Sequence, residues 1–196
     1  MSDGVASLAR ARPRPLTTSP GCEDQPFFDP DGQRVLFMAN RDGQQTDIYE
    51  FDRRTGATRQ LTRTPEGEYS PTIHTVRPSA TALSRDGFTV IRVEADGTQR
   101  LWQFDRQGKN PVLVLADIRP VGYHAWMDAD RLALNVLGTP ATLQVARVST
   151  GRAEIVARDI GRTLPLVPGT GRVSFVQRQA DDAYTGCRRE QTRWPS

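Results

Sequence analysis

The residues best suited to chemistry in this sequence are two histidines and two cysteines, and their spacing does not form a site. His74 and His124 are the only imidazoles, so a metal centre would need thiolates or carboxylates grouped with them. Cys22 and Cys187 lie near opposite ends of the chain, with no CxxC pair. This pattern favours two free thiols, although a closed ring could bring the two ends together for a bridge. We predict no metal and no cofactor, and we interpret both histidines as loop or channel-lining residues.

Aspartate and glycine in short runs are the next candidates, because "DPDG" at 29–32 begins like a calcium-binding loop. The further ligands and the closing glutamate of such a loop are absent, so we interpret the run as a tight turn. Asp42, Asp96 and Asp128 are interpreted in the same way. The sequence contains no GxSxG, HExxH, P-loop or GxGxxG motif. We therefore predict no catalytic residue and no enzymatic activity.

These turns separate short strands. Glycine after aspartate or threonine tolerates the positive φ of a hairpin turn, so Asp42–Gly43 and Thr55–Gly56 each predict a reversal of the chain. A first strand before "DPDG" completes an antiparallel meander of four. The three strands that follow it are "VLFMAN" at 35–40, "DIYEF" at 47–51 and "TRQLT" at 58–62.

The same order of turns and strands returns downstream. Glycines that follow the second strand of each copy lie at 43, 97 and 138, and those that follow the third lie at 56, 108 and 151. The unit is therefore about 42 residues long, with roughly ten more in the second copy. A period of about 40 residues that contains four strands is typical of a β-propeller blade.

We predict an all-β fold, a β-propeller of four-stranded antiparallel blades with about three and a half blades present. Each blade buries its faces only against its neighbours. The predicted divisions are a flexible leader at 1–21, blade 1 at 22–63, blade 2 at 66–117 with a loop insertion at 73–86, blade 3 at 120–159, the start of blade 4 at 162–182 and a non-repeat tail at 183–196.

The segment "DPDGQRVLFMANRDGQQTDIYEFDRRTGATRQLT" resembles the Asp-Gly repeat of the TolB-like propellers, whose blades run PDG, apolar strand, NRDG, DIY-type strand, TG and QLT. The likeness is specific at 22–63 and looser at 66–117 and 120–159. It implies a six-bladed type of ring and a non-catalytic scaffold that binds a protein or peptide, frequently in the cell envelope. The alternative is the propeller of a prolyl-oligopeptidase-like serine peptidase without its catalytic domain.

The fourth copy, "RTLPLVPGTGRVSFVQRQ" at 162–179, loses the pattern after Asp181–Asp182. The sequence favours a reading frame truncated or shifted near residue 183. Two alternatives are that other blades come from another chain, or that the ring closes with four blades. Unpaired blade edges would allow self-association.

In a propeller the innermost strand of each blade lines a central channel, so we aligned Pro26, Pro71, Ala125 and Pro165 to find the residues there. One resulting layer holds Gln25, Ser70, His124 and Leu164; the next holds Asp24, Tyr69, Tyr123 and Thr163; the third holds Glu23, Glu68, Gly122 and Arg162. Acids and tyrosines at a channel mouth suit recognition of a peptide or another polar ligand. The alternative is an ordinary water-filled channel. The predicted binding residues are Glu23, Asp24, Gln25, Glu68, Tyr69, Ser70, Tyr123 and His124.

Composition adds limits on partners and location. The net charge is +3, with charged residues of both signs dispersed along the chain, so no phosphate-binding track is evident and we predict no nucleic-acid partner. No apolar run is long enough for a membrane span or a signal peptide. As written, the sequence predicts a cytoplasmic protein, and a periplasmic one if the true N-terminus carries a signal peptide.

Overall fold

The computed structural model describes residues 14–41, 43, 45–74, 83, 87–178 and 184–185. Those residues form strands and turns and no helix, which confirms the all-β prediction. None of them therefore belongs to a helix that could cross a membrane. Asp42 and Cys187 lie outside the described residues, as do most of the predicted leader, the inserted loop and the tail. Cys22 is a free, exposed thiol.

Three four-stranded antiparallel sheets dominate, and in each the strands pair in chain order. Each sheet is therefore a meander, the form of a propeller blade, and we call the sheets blades 1, 2 and 3. Blade 1 contains β1 (Cys22–Phe28), β2 (Arg34–Asn40), β3 (Asp47–Asp52) and β4 (Thr58–Gln60). Blade 2 contains β5 (Gly67–Ile73), β6 (Phe88–Val93), β7 (Gln99–Phe104) and β8 (Val112–Val114). Blade 3 contains β9 (Val121–Trp126), β10 (Arg131–Val136), β11 (Thr142–Arg147) and β12 (Arg152–Arg158).

The fourth repeat is represented by two short pairs. They are β13 (Leu166–Val167) with β14 (Arg172–Val173), and β15 (Gln177–Arg178) with β16 (Tyr184–Thr185). Ile160, just beyond blade 3, forms an isolated bridge with Gln177. Ile160 and Leu164 are buried against the face of blade 3 that points away from blade 2, so this segment packs on the preceding blade as the earlier repeats do.

Apolar side chains between neighbouring sheets form most of the core, because blade 2 covers one face of blade 1 and one face of blade 3. Between blades 1 and 2 the buried cluster includes Ile48, Val90 and Phe104. Between blades 2 and 3 it includes Leu132 and Leu134, which are fully buried. Burial of each such side chain contributes about 1.5–3 kcal/mol. The blades are therefore unlike independent domains: each depends on its neighbours for burial.

Blades 1 and 2 are also joined by charge. Asp29, in the turn after β1, forms ion pairs with Arg34 of its own blade and with Arg106 of blade 2, both at 2.7 Å. Gly108, in the same turn as Arg106, has a φ of 73° and lies so close to blade 1 that a Cβ would stand 2.1 Å from the Leu61 carbonyl oxygen. Only glycine fits there. The turn of blade 2 that contains Gly108 therefore packs tightly against the edge of blade 1.

Candidate binding site

The innermost strands of the blades converge on one cavity of about 330 Å³. β1, β5 and β9 contribute to its lining together with the segment at 162–166 of the fourth repeat. Of the eight predicted binding residues, Gln25, Ser70, Tyr123 and His124 line it. Leu164 lines it as well, so the aligned layer of Gln25, Ser70, His124 and Leu164 meets at one place. The other lining residues are Pro26, Phe27, Pro71, Thr72, Ile73, Ala125, Trp126, Arg162, Thr163, Pro165 and Leu166.

Two of these residues have strained backbones. The register of β1 shifts between Asp24 and Phe27, and that of β5 shifts between Tyr69 and Thr72, so each strand carries a bulge at the same point. Gln25 has a φ of 54° and Ser70 a φ of 50°. Left-handed geometry is uncommon for residues other than glycine, and both residues also precede a proline. Each costs on the order of 1–3 kcal/mol, which the surrounding structure must offset.

Gln25 and Ser70 also join the two bulges. The backbone N–H of Ser70 donates to Oε1 of Gln25 at 2.6 Å, and the Ser70 hydroxyl lies 3.1 Å from the same oxygen. One glutamine side chain thereby connects the inner strands of blades 1 and 2. This contact holds two strained residues beside the cavity and fixes the shape of that wall.

A chain of buried hydrogen bonds lies behind the part of the cavity wall that β9 forms. Trp126 Nε1 donates to the Thr89 hydroxyl at 3.0 Å, and that oxygen lies 2.7 Å from Nε2 of His124. Nδ1 of His124 is buried and has no hydrogen-bond partner in the described part of the chain. Burial lowers the pKa of His124 to about 3, and the nearby His74 adds to the effect. His124 is therefore neutral at physiological pH.

The rim of the cavity carries polar groups that are not used within the fold. Arg162 and Thr163 are exposed, and Tyr123 is half-buried. The described residues provide no carboxylate for Arg162, and the hydroxyls of Tyr123 and Thr163 form no hydrogen bond with them. The cavity thus combines largely apolar walls with a few unpaired polar groups, the usual make-up of a ligand site.

The structure places the predicted acidic residues away from this cavity. Glu23 forms an ion pair with Arg41 at 2.7 Å and also accepts a hydrogen bond from Thr17. Asp24 is exposed, and its carboxylate accepts the N–H of Gln25 at 2.7 Å. Both acids line a separate hollow of about 150 Å³ beside Leu16, on the face of blade 1 that points away from blade 2.

Glu68 and Tyr69 lie between blades rather than at the cavity. Glu68 is completely buried; it pairs with Arg92 at 3.2 Å and accepts hydrogen bonds from Thr62 and Thr64. Burial raises the pKa of Glu68 to about 7, despite these partners. Tyr69 packs against both interblade apolar clusters. Glu68 and Tyr69 precede the bulge residue Ser70, and β5 lines the cavity from Ser70 to Ile73.

Sequence reasoning did not select Arg162, Thr163, Thr89 or Trp126. The first two stood in the aligned layers, so their positions carried a usable signal. Thr89 lies on β6, and its contact with His124 joins two blades. No repeat or motif in the sequence indicates that contact.

Comparison with known proteins gives the fold. No protein-family model matches the chain, and no curated protein matches it. Among solved structures, TolB from Acinetobacter baumannii is similar at 17% identity and a TM-score of 0.62, covering 85% of this chain and 40% of that one. A putative TolB from Agrobacterium tumefaciens is similar at 14% identity and a TM-score of 0.56, covering 73% of this chain and 51% of that one. A puromycin hydrolase is similar at 17% identity and a TM-score of 0.62, covering 83% of this chain and 26% of that one.

The chain therefore spans about half or less of the length of each of these proteins. At such identities the likeness shows the fold, and it agrees with the three meandering sheets and their shared inner cavity. The sequence resemblance is confirmed at the level of the fold: this chain has a β-propeller fold similar to that of TolB.

Proposed function

We propose that this chain is a non-catalytic binding module that holds a peptide segment of a protein partner in the cavity between its inner strands. The observation that carries the proposal is the convergence of Gln25, Ser70, His124 and Leu164, one residue from each repeat, on a single cavity. A concave surface that all four repeats line offers one ligand contacts with each of them. The cavity volume of about 330 Å³ lies at the lower end of the range for ligand sites, so it suits a short peptide segment.

Two costs built into the cavity support binding. The left-handed Gln25 and Ser70 are strained, and such residues cluster where ligands are held. His124 buries an Nδ1 atom without a partner among the described residues. An unsatisfied buried polar atom costs about 1–3 kcal/mol. Such a cost, like the strained backbones, calls for a functional explanation.

The second candidate is the propeller part of a prolyl-oligopeptidase-like peptidase. Its support is that the likeness to the puromycin hydrolase, at a TM-score of 0.62, equals the likeness to TolB from Acinetobacter baumannii. The coding sequence that follows residue 196 distinguishes the two. A GxSxG motif with a later Asp and His would favour the peptidase, whereas further Asp-Gly blades would favour the binding module.

The proposal is tested by selecting peptides from a randomised display library on the immobilised chain. Thr163→Trp adds a large side chain at the rim of the cavity, and we expect it to weaken binding of the selected peptides at least tenfold. The matched control is Ile155→Trp, because Ile155 is exposed on the outer strand β12 of blade 3, away from the cavity. Failure to select any peptide, or equal loss with both variants, would contradict the proposal.

A further inference from the structure

The charge of the cavity gives the chemistry of its ligand, and this step rests on the proposed function. Sequence reasoning placed acidic residues at the channel mouth, but Glu23 is paired with Arg41, and Glu68 is paired with Arg92 inside the fold. Asp24 lines the separate hollow on blade 1. Among the described residues, Arg162 is consequently the only charged side chain that lines the cavity. The cavity is cationic rather than acidic.

Neutral hydrogen-bond donors stand beside that cation. Tyr123 and Thr163 line the cavity, and their hydroxyls form no hydrogen bond with the described part of the chain. A guanidinium is a donor without acceptor capacity, and its geometry matches the two oxygens of a carboxylate. The group that satisfies all three side chains is therefore an anionic acceptor.

The buried histidine adds no negative charge that would oppose an anionic ligand. Trp126 Nε1 can only donate, so the Thr89 oxygen accepts from it, and the Thr89 proton is left for His124 Nε2 at 2.7 Å or the Thr72 carbonyl at 3.3 Å. We assign the proton to the shorter contact. In that tautomer Nδ1 of His124 carries the hydrogen, and because this atom is buried it lies out of reach of a ligand in the cavity.

We infer that the cavity selects a carboxylate on the bound peptide, held by Arg162 and by hydrogen bonds from Tyr123 and Thr163. The apolar remainder of the lining, which includes Pro26 and Pro71, takes the neighbouring side chains of that peptide. Either an Asp or Glu side chain or a free C-terminal carboxylate supplies the required group. A phosphate would also be anionic, but the described lining offers one cation, which suits a singly charged group better than a doubly charged one.

The experiment uses the full chain and the peptides selected from the display library, each synthesised in acetylated form with a free or an amidated C-terminus. In each peptide every Asp and Glu is also replaced, in separate syntheses, by Asn or Gln. We expect one carboxylate to matter, and its replacement by the neutral amide to weaken binding about tenfold in isothermal titration calorimetry. Loss on side-chain replacement identifies an acidic residue, and loss on amidation identifies the C-terminus.

Protein variants then place that carboxylate. Arg162→Gln should weaken the acidic peptide about tenfold and leave its neutral version unchanged, so the preference between the two disappears. Arg152→Gln is the matched control, since Arg152 is an exposed arginine on β12. Tyr123→Phe removes one hydroxyl with little change in packing and should reduce the same preference by about half or more.

The two proposals fail in different ways. Selected peptides that bind the cavity, as judged by their loss with Thr163→Trp, yet keep full affinity without any carboxylate would overturn the carboxylate inference and leave the binding module standing. An acidic preference that survives Arg162→Gln would overturn it as well. If no peptide binds at all, the proposed function fails, and the inference fails with it.

Discussion

The interface between blades 1 and 2 and the interface between blades 2 and 3 bury similar apolar clusters but differ in their polar contacts. The first contains the Glu68–Arg92 pair and the Asp29–Arg106 bridge. The second contains the neutral chain of Trp126, Thr89 and His124. The apolar clusters fix the stacking in both cases. The difference lies in protonation, because one interface buries an acid and the other buries a base.

Opposite responses to pH follow. The pKa of Glu68 is raised, so the folded chain retains a proton that the unfolded chain releases, and this acid reduces stability as pH rises from about 4.5 to about 7. The pKa of His124 is lowered, so the unfolded chain takes up a proton that the folded chain refuses. This base therefore reduces stability as pH falls from about 6.5 to about 3. The two interfaces are weakened from opposite sides of the pH scale.

The largest expected effect comes from removing the cation of the first interface. Arg92 is buried, pairs with Glu68 and stacks over Trp102 at 4.5 Å. Arg92→Ala leaves the buried acid without its counter-charge, and we expect a loss of about 3–5 kcal/mol at pH 8 by urea denaturation. The loss should be smaller at pH 5, where Glu68 is protonated. Arg147→Ala, at an exposed surface pair, should change stability by less than about 1 kcal/mol. Equal losses for both variants would contradict the assignment.

Truncation in the second interface should cost somewhat less. Leu134 is fully buried on β10 among the side chains between blades 2 and 3. Leu134→Ala removes apolar contacts and leaves a cavity, with an expected loss of about 2–4 kcal/mol in the same assay. Because no charge is involved, this loss should be nearly independent of pH. Ile155→Ala, on the exposed side of β12, serves as the control and should lose less than about 1 kcal/mol.

Conservative variants sharpen the contrast in pH dependence. Glu68→Gln keeps the side chain neutral at every pH, so the decline in stability between about pH 4.5 and 7 should flatten relative to the parent chain. His124→Gln should instead flatten the decline below about pH 6.5. Urea midpoints measured from pH 4 to pH 8 report both slopes. If both variants flattened the same part of the plot of stability against pH, the opposite pH dependence of the two interfaces would be refuted.

The smallest expected effect separates the turns of blades 1 and 3. Gly43 has a φ of 78°, and the space around its Cβ position is open, so Gly43→Ala meets backbone strain alone. We expect a loss of about 1 kcal/mol, and more for Gly43→Val. Gly138, its counterpart in blade 3, has no positive φ, so Gly138→Ala meets only the Pro140 carbonyl oxygen at 3.3 Å from its Cβ and should cost less than Gly43→Ala. If Gly43→Val left the free energy of unfolding nearly unchanged, the assignment of a left-handed turn at Gly43 would be wrong.

Much of the fold could be predicted from this sequence because its repeats mark every turn. Apolar strands alternate with Asp-Gly and Thr-Gly pairs, and both signals act within a few residues. The site was harder, because alignment located the inner strands but could not show that Glu68 turns toward Thr62 or that Thr89 meets His124. Those contacts join residues from different blades. The predicted self-association and cellular location stay predictions.

The most direct test of the shared cavity is a two-dimensional NMR titration of the labelled chain with a selected peptide. We expect the shifted backbone signals to include Gln25, Ser70, Tyr123 and His124, from three different blades, together with Arg162 and Thr163. Thr163→Trp should abolish those shifts. Shifts confined to the outer strands β4, β8 and β12, or to the hollow near Leu16, would contradict a binding site built from the inner strands.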